Sequence, residues 1–471
     1  MNNHKKVVVV GGGISGLSAA FYTKRLLEEQ QIPVEISLIE KSNHVGGKIN
    51  TVHRDGFVIE KGPDSFLARK LPIIKLVQEL GLEDELVATN ANAKTNYILH
   101  KGKLHPMPMG LVLGIPTKFS SFVRTGLISP LGKARAAMDF LLPKKDDQQD
   151  ESLGSFIERR LGKEVLENIT EPLLSGIYSG DTQFLSLNAT FPQFKQLELK
   201  HRSLILGMLN GTKGAPPASN LPEVAKRSMF LSFKNGLATL VNRLMEELHS
   251  TNIITGEGIV ELNKADKGYK LKLENGAEMD ADAVILAVPT TVAATLLPKL
   301  SFANYLKQIP YVSVANIALA YDQKDINHPL NGSGFLVPQK EGRFITACTW
   351  TSSKWNHTAP NEKVLLRTYV GRANAEEWTA LSDAELVKRV RKDIMETMGI
   401  SAEPEFIEIS RCYKSMPQYP VGHLERLRVG REELQEHPGI YLCGAGYGGV
   451  GIPNCIQQGR EAAEHVLQLL R

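Results

Sequence analysis

The feature that most constrains the fold lies in the first sixteen residues. Val7-Val8-Val9-Val10 is a β-branched run suited to a strand buried on both faces, and Gly11-Gly12-Gly13-Ile14-Ser15-Gly16 follows it at once. Ile14, Leu17, Ala20 and Phe21 then recur at helical spacing, so Gly11, Gly13 and Gly16 occupy the three glycine positions of a strand–turn–helix dinucleotide fingerprint. The first glycine makes the tight turn and the second lets backbone approach a pyrophosphate. The third lets the helix lie close on the strand, with the helix start at Ile14 and Ser15 facing the phosphates. A second strand, Val34 to Ile39, ends at Glu40, where a carboxylate can accept hydrogen bonds from ribose hydroxyls and would repel a 2′-phosphate.

Composition narrows the classes. A chain of 471 residues with 42% hydrophobic and 23% charged residues has ample material for about three domains, which excludes a disulfide-held miniature and wholesale disorder. Lys+Arg of 55 against Asp+Glu of 51 leaves +4, too little to imply a nucleic-acid partner. Cys348, Cys412, Cys443 and Cys455 show no metal-ligand spacing, so buried reduced thiols and no metal are expected. The apolar run after Lys6 is too short for a signal peptide, and no stretch approaches membrane-spanning length. A cytoplasmic location is expected, with peripheral attachment to the inner face of the cell membrane left open.

The fingerprint alone does not separate NAD from FAD. Val45-Gly46-Gly47-Lys48 follows Lys41-Ser42-Asn43-His44, and Asp55 to Glu60 leads to Lys61-Gly62-Pro63. Here the sequence resembles the flavin-containing amine oxidase superfamily, whose members follow the ribose acid with a glycine doublet and a basic residue close to the pyrophosphate. The resemblance implies FAD. To the fingerprint residues and Glu40 it adds Lys41, Gly46, Gly47, Lys48 and the turn Gly62-Pro63-Asp64-Ser65 as cofactor contacts.

An FAD fold of this kind is completed from far downstream. Leu237 to Leu248 reads as an amphipathic helix, Ile253-Ile254 and Gly258 to Leu262 as strands, and Tyr269 to Glu274 alternates before the Asn275-Gly276 hairpin turn. Asp282 to Pro289 reads as a further buried strand, and the resemblance places the backbone at Val260 against the adenine. Gly439 to Gly446 reads as a strand entering a glycine turn. A helix follows in which Ile452, Ile456, Gly459, Ala463, Val466, Leu467 and Leu470 share a face. Gly444, Val450, Gly451 and Ile452 then stand at a helix N-terminus able to stabilise negative charge on a reduced flavin. The expected class is α/β with α+β inserts: an interrupted Rossmann-like FAD-binding domain (1–52, 230–292, 430–471), a mixed-sheet substrate-binding domain (53–86, 183–229, 293–429) and a helical, membrane-facing domain (87–182).

Five further strings sharpen the resemblance: Gly62 to Phe66, His105 to Pro108, Gly132 to Arg135, Glu171 to Tyr178, and Met416 to His423. Together they look like the oxygen-dependent protoporphyrinogen/coproporphyrinogen oxidases, the soluble Gram-positive type above all. The resemblance implies removal of six electrons from coproporphyrinogen III in haem biosynthesis, with O2 reduced to hydrogen peroxide. It also implies protoporphyrinogen IX as a second substrate and product hand-off to a ferrochelatase. It assigns Ile177 and Tyr369 to the macrocycle faces. Lys70, with Arg69 as the alternative, is the candidate for a propionate, because the preceding Gly-Pro turn should place this segment at the domain boundary near the flavin. From Leu86 to Met138 there is no Asp or Glu, while Lys94, Lys101, Lys103, Lys118, Arg124, Lys133 and Arg135 are present. That suits a carboxylated tetrapyrrole, an anionic membrane face or a plain solvated surface.

No general base stands out among His105, His201 and His423, and monomer and homodimer both stay open. Two other readings compete: an oxidase of the same superfamily acting on amines, and a non-catalytic membrane-docking flavoprotein. Against the first, Gly448 to Gln458 holds no aromatic residue to wall an amine, although Tyr447 lies just before.

Overall fold

The valine run becomes the central strand of a five-stranded parallel sheet. In the computed structural model, which describes residues 4–112, 114–117, 119–145, 149–211 and 221–471, that sheet has the strand order 252–255, 34–40, 5–10, 283–286, 440–442. Its strands therefore come from the start, the middle and the end of the chain, with Val9 opposite Leu38 on one side and Ile285 on the other. Both faces are covered, which is why the run is apolar without alternation. Val7 and Val9 pack into the core under the helices Ile14–Glu29 and Ile452–Leu470, while Val8 and Val10 pack into a second core with Leu271, Ala293 and Leu306. The two helices lie so close that a Cβ at Gly459 would come within 2.5 Å of the Ser15 carbonyl.

A seven-stranded sheet stands apart, in the order 406–417, 311–322, 363–370, 345–350, 334–336, 96–100, 103–106. Its last two strands come from within 87–182, the segment expected to form a helical domain. Asn96–His100 and Lys103–Pro106 form a hairpin, joined by Lys101 and Gly102 at positive φ, and Asn96–Ile98 runs parallel to Gly334–Leu336. The apolar run Tyr97-Ile98-Leu99 and the Lys-Gly turn are strand and turn signals that outweigh the neighbouring helical ones. Helices also continue beyond 182. Leu185, Leu187, Phe191 and Phe194, expected in the substrate domain, share a core with Phe156, Ile157 and Ile169. Buried Arg160 ties that body together through Asp139 (2.6 Å) and Glu198 (3.4 Å).

The acid-free stretch is less uniform than its composition implies. Lys94, Lys101, Lys103 and Arg124 are exposed, but Arg135 donates to the carbonyls of Glu158 (3.0 Å) and Arg159 (2.9 Å) near the end of helix Leu153–Leu161. Lys118 lies outside the described residues. Carboxylates from elsewhere enter the stretch, Glu164 at Ser129 and Glu341 at Lys101. Among the described residues no helix is long and apolar enough to cross a membrane. Cys348, Cys443 and Cys455 are free and buried, whereas Cys412 is only half-buried.

Candidate functional site

The fingerprint glycines adopt the geometry their order implies. Gly11 has φ +105°, Gly13 has open space where a Cβ would point, and a Cβ at Gly16 would overlap the Gly11 carbonyl oxygen. Glu40 is fixed beside this loop, accepting the Gly12 N–H (2.6 Å) and the Ser42 N–H (2.7 Å), one on each carboxylate oxygen. Each oxygen keeps acceptor capacity for a hydroxyl. The Gly46 N–H donates to the Gly12 carbonyl (2.8 Å), and a Cβ at Gly47 would lie 3.0 Å from the Gly13 Cα, so the doublet rests directly on the fingerprint loop. Lys41 does not: it turns outward to Glu274 (2.7 Å). Val260 sits at a register shift between Ile259 and Glu261, 42% exposed. The segment before it runs along the end of the second strand, with the Glu257 N–H on the Glu40 carbonyl (3.2 Å).

Lys48 stays in contact with solvent although protein surrounds it, as a side chain inside a groove does; burial holds its ammonium below the usual lysine range. It donates to the Ser415 carbonyl and lies close to Cys412 and Cys455. Cys455 belongs to the first turns of the C-terminal helix, which Gly451 begins without a side-chain cap and with no acidic residue in the first turn. The loop before it is held by Gln458, which accepts from the N–H groups of Gly444 (3.3 Å) and Gly448 (3.2 Å), and by the Tyr419 hydroxyl, which accepts from Gly449 (3.1 Å). Two helix starts without side-chain caps thus lie near one lysine, a setting for an elongated anionic cofactor.

The turn at Gly62 closes the groove. A Cβ there would overlap the Lys48 carbonyl, and Arg367 donates to the Gly62 carbonyl. Asp64 accepts from Ser65 (2.6 Å) and Lys354 (3.2 Å), with Arg367 at 3.9 Å. Burial alone would raise this carboxyl, but Lys354 and Arg367 override it and hold the pKa at about 2. Arg367 and Tyr369 are two apart on one strand and share a face, with 5.1 Å from guanidinium to ring. Ile177, 40% exposed, comes from helix Glu171–Tyr178, which is anchored through Glu171 and the buried Arg372 (3.6 Å). Lys70 is exposed at the start of helix Leu71–Glu79.

Other candidates are structural. His423 lies 2.6 Å from the Tyr305 hydroxyl and 3.1 Å from the Tyr447 carbonyl, stacked on Tyr419. Burial lowers its pKa to about 4, so it is neutral at physiological pH. Tyr447 is buried in the core beneath the parallel sheet and offers no wall to a substrate.

Sequence reasoning missed Arg367, Lys354 and Glu60. The spacing of Arg367 from Tyr369 could have revealed the first, whereas nothing local marks the other two. Glu60 accepts from the Leu237 N–H (2.6 Å) and the Thr51 hydroxyl (2.9 Å) and borders a small closed cavity with Ser232, Trp355, His357 and Arg367. Burial pushes its pKa up to about 7. The folded state therefore holds this proton more tightly than the unfolded chain, so stability is lost as pH rises from about 4.5 to about 7. Glu60→Gln should remove that slope, gaining up to about 3 kcal/mol at pH 8 relative to wild type, read by denaturant melts across pH. An unchanged slope would reject the assignment.

A sequence profile of the family described as flavin containing amine oxidoreductase matches residues 14–467. The chain is 47% identical to the coproporphyrinogen III oxidase of Bacillus subtilis (strain 168), covering 99% of this chain and 98% of that one. It is 38% identical to the coproporphyrinogen III oxidase of Staphylococcus aureus, covering 98% and 99%. A crystal structure from Exiguobacterium sp. 255-15, provisionally described as a protoporphyrinogen oxidase, superposes with a TM-score of 0.87 at 37% identity, covering 98% of this chain and 99% of that one. The glycine loop, the acid that closes the second strand, the lysine beside it and these full-length matches converge: the chain belongs to the flavin-containing amine oxidoreductase family, as an FAD-dependent oxidoreductase.

Proposed function

We propose that this chain oxidises coproporphyrinogen III to coproporphyrin III, and protoporphyrinogen IX as a second substrate, with three O2 reduced to three hydrogen peroxide per porphyrin formed. The observation that carries this reading is the 47% identity over 99% of the chain to a Bacillus subtilis protein of that name. FAD, when bound, would supply the hydride acceptor and the electron path to O2. The chain's own residues hold and orient. The fingerprint loop, Glu40, Gly46 and Gly47 bind the dinucleotide, and Lys48 with the start of the C-terminal helix favours negative charge on the cofactor. Tyr369 and Ile177 offer flat and apolar surfaces to a macrocycle, and Lys70 at the rim offers a cation to a propionate.

Arg124 and Lys133 lie among the exposed Leu131 and Val123, which supports a peripheral membrane contact at this body. The product, a metal-free porphyrin, calls for a metal-inserting enzyme such as a ferrochelatase as its consumer.

The test is the appearance of porphyrin fluorescence from each non-fluorescent porphyrinogen under air, with kcat/KM compared side by side. Lys70→Ala should raise KM for coproporphyrinogen roughly tenfold with kcat nearly unchanged, as loss of a charge-assisted contact made equally in ground and transition states. No turnover with either porphyrinogen overturns the reading, and peroxide release from amines instead would install the amine oxidase alternative. An unchanged KM removes Lys70 from the site.

A further inference from the structure

The reading above gives tasks to Lys48 and Lys70 but leaves Lys354 without one. Lys354 ends the short helix Thr351–Lys354, between the strands 345–350 and 363–370. Its side chain is 16% exposed, with the ammonium 5.6 Å from the Phe230 ring and 5.2 Å from the Trp355 ring. It has three protons to donate, and its one hydrogen-bond partner among the described residues is Asp64. Asp64 also faces Arg367, so two cations meet one carboxylate here. The other carboxyl near Arg367, Glu60, is engaged with the Leu237 N–H and the Thr51 hydroxyl. An ammonium held by an acid as accessible as itself (16% and 17% exposed), with protons left over, is placed to meet a second anion.

Its position gives that anion a direction. Phe230 pairs across a ladder with Leu67, whose carbonyl accepts the Lys70 N–H (3.1 Å). Lys70 is exposed, Lys354 is less so, and the exposed Leu67, Met229 and Phe230 of the ladder link the two. On the inner side, Arg367 and Tyr369 share a strand face. The sequence outward is therefore ring, cation pair, apolar edge, cation, which matches a flat apolar macrocycle carrying carboxylates along its edge.

We propose that Lys354 is a second carboxylate-recognising residue of the substrate cleft, binding one propionate of the tetrapyrrole while Asp64 holds its ammonium in position. This rests on the porphyrinogen reading above.

The test is a fluorescence titration of the FAD-loaded enzyme with coproporphyrin III, protoporphyrin IX and the tetramethyl ester of coproporphyrin III, for wild type, Lys354→Met and Lys354→Arg. K354M should weaken coproporphyrin III about tenfold and leave the ester unchanged, while K354R stays within about threefold of wild type for all probes. Protoporphyrin IX, with two carboxylates instead of four, should lose less than coproporphyrin III. In turnover the K354M change should appear in KM and not in kcat. Equal weakening of free acid and ester, or no change in either, overturns the proposal. If K354M fails to retain FAD, K354R decides: affinity kept for the free acids supports the proposal, and a tenfold loss overturns it. Because binding is read without turnover, a wild type that oxidises neither porphyrinogen but loses free-acid affinity in K354M would refute the proposed activity and leave this site standing.

Discussion

Gly16→Val protein should be recovered without its yellow colour. A Cβ at this position overlaps the Gly11 carbonyl oxygen, so either the glycine turn opens or the helix Ile14–Glu29 lifts off the sheet. Both movements take the Gly13 backbone and the helix start away from the place where a pyrophosphate would sit. Valine brings two more methyl groups, and overpacking at a fully buried helix–strand contact costs about 1–3 kcal/mol, to which loss of the bound cofactor adds. Flavin content should fall at least about hundredfold, measured by absorbance per protein after desalting. Gly13→Ala provides the contrast. Its Cβ meets nothing within 4 Å, so the apoprotein should melt as wild type while flavin affinity drops. Near-stoichiometric flavin in Gly16→Val would show that this contact does not set the loop.

Asp64→Ala should be the most destabilising single change in the cleft. The carboxylate is the shared partner of Lys354 and Arg367, and removing it leaves two mostly buried cations facing each other. Breaking such a cluster costs about 3 kcal/mol or more, because the remaining charges stay desolvated. The pH signature is specific. Lys354 and Arg367 hold the folded-state pKa at about 2 against the burial that would raise it, below the ordinary value of 3.8. Asp64 therefore contributes stability that is complete above about pH 4 and lost as pH falls toward 2, a span worth about 2 kcal/mol. Chemical denaturation from pH 2 to 7 should show wild type losing this increment and Asp64→Ala lacking it. Parallel curves for the two proteins would mean that the cluster does not hold an ionised Asp64.

The reach of the sequence varied with the range of the interactions involved. The fingerprint turn, the acid at the strand end and the glycine doublet were legible because each is a local feature: positive φ at Gly11, Gly46 and Gly47, and a carboxylate at the end of a strand. Periodicity placed the C-terminal helix because one face is buried over its whole length. The same reasoning failed for 87–182, where a hairpin at 96–106 joins a sheet whose other strands lie more than two hundred residues downstream. The partner of Lys41, which the resemblance lists among the cofactor contacts, was not legible either: Glu274, distant in sequence, holds that side chain outward.

By itself, then, the sequence determined the dinucleotide loop, the strand it follows and the helix it opens, because backbone sterics and short-period burial act within a few residues. The tertiary structure decided which charges meet. Asp64, Lys354 and Arg367 come from three separate segments, and their ion pairs exist only once the parallel sheet, the Gly62 turn and the seven-stranded sheet are docked together. Electrostatic partnership depends on distance and burial in three dimensions, and a one-dimensional pattern encodes neither.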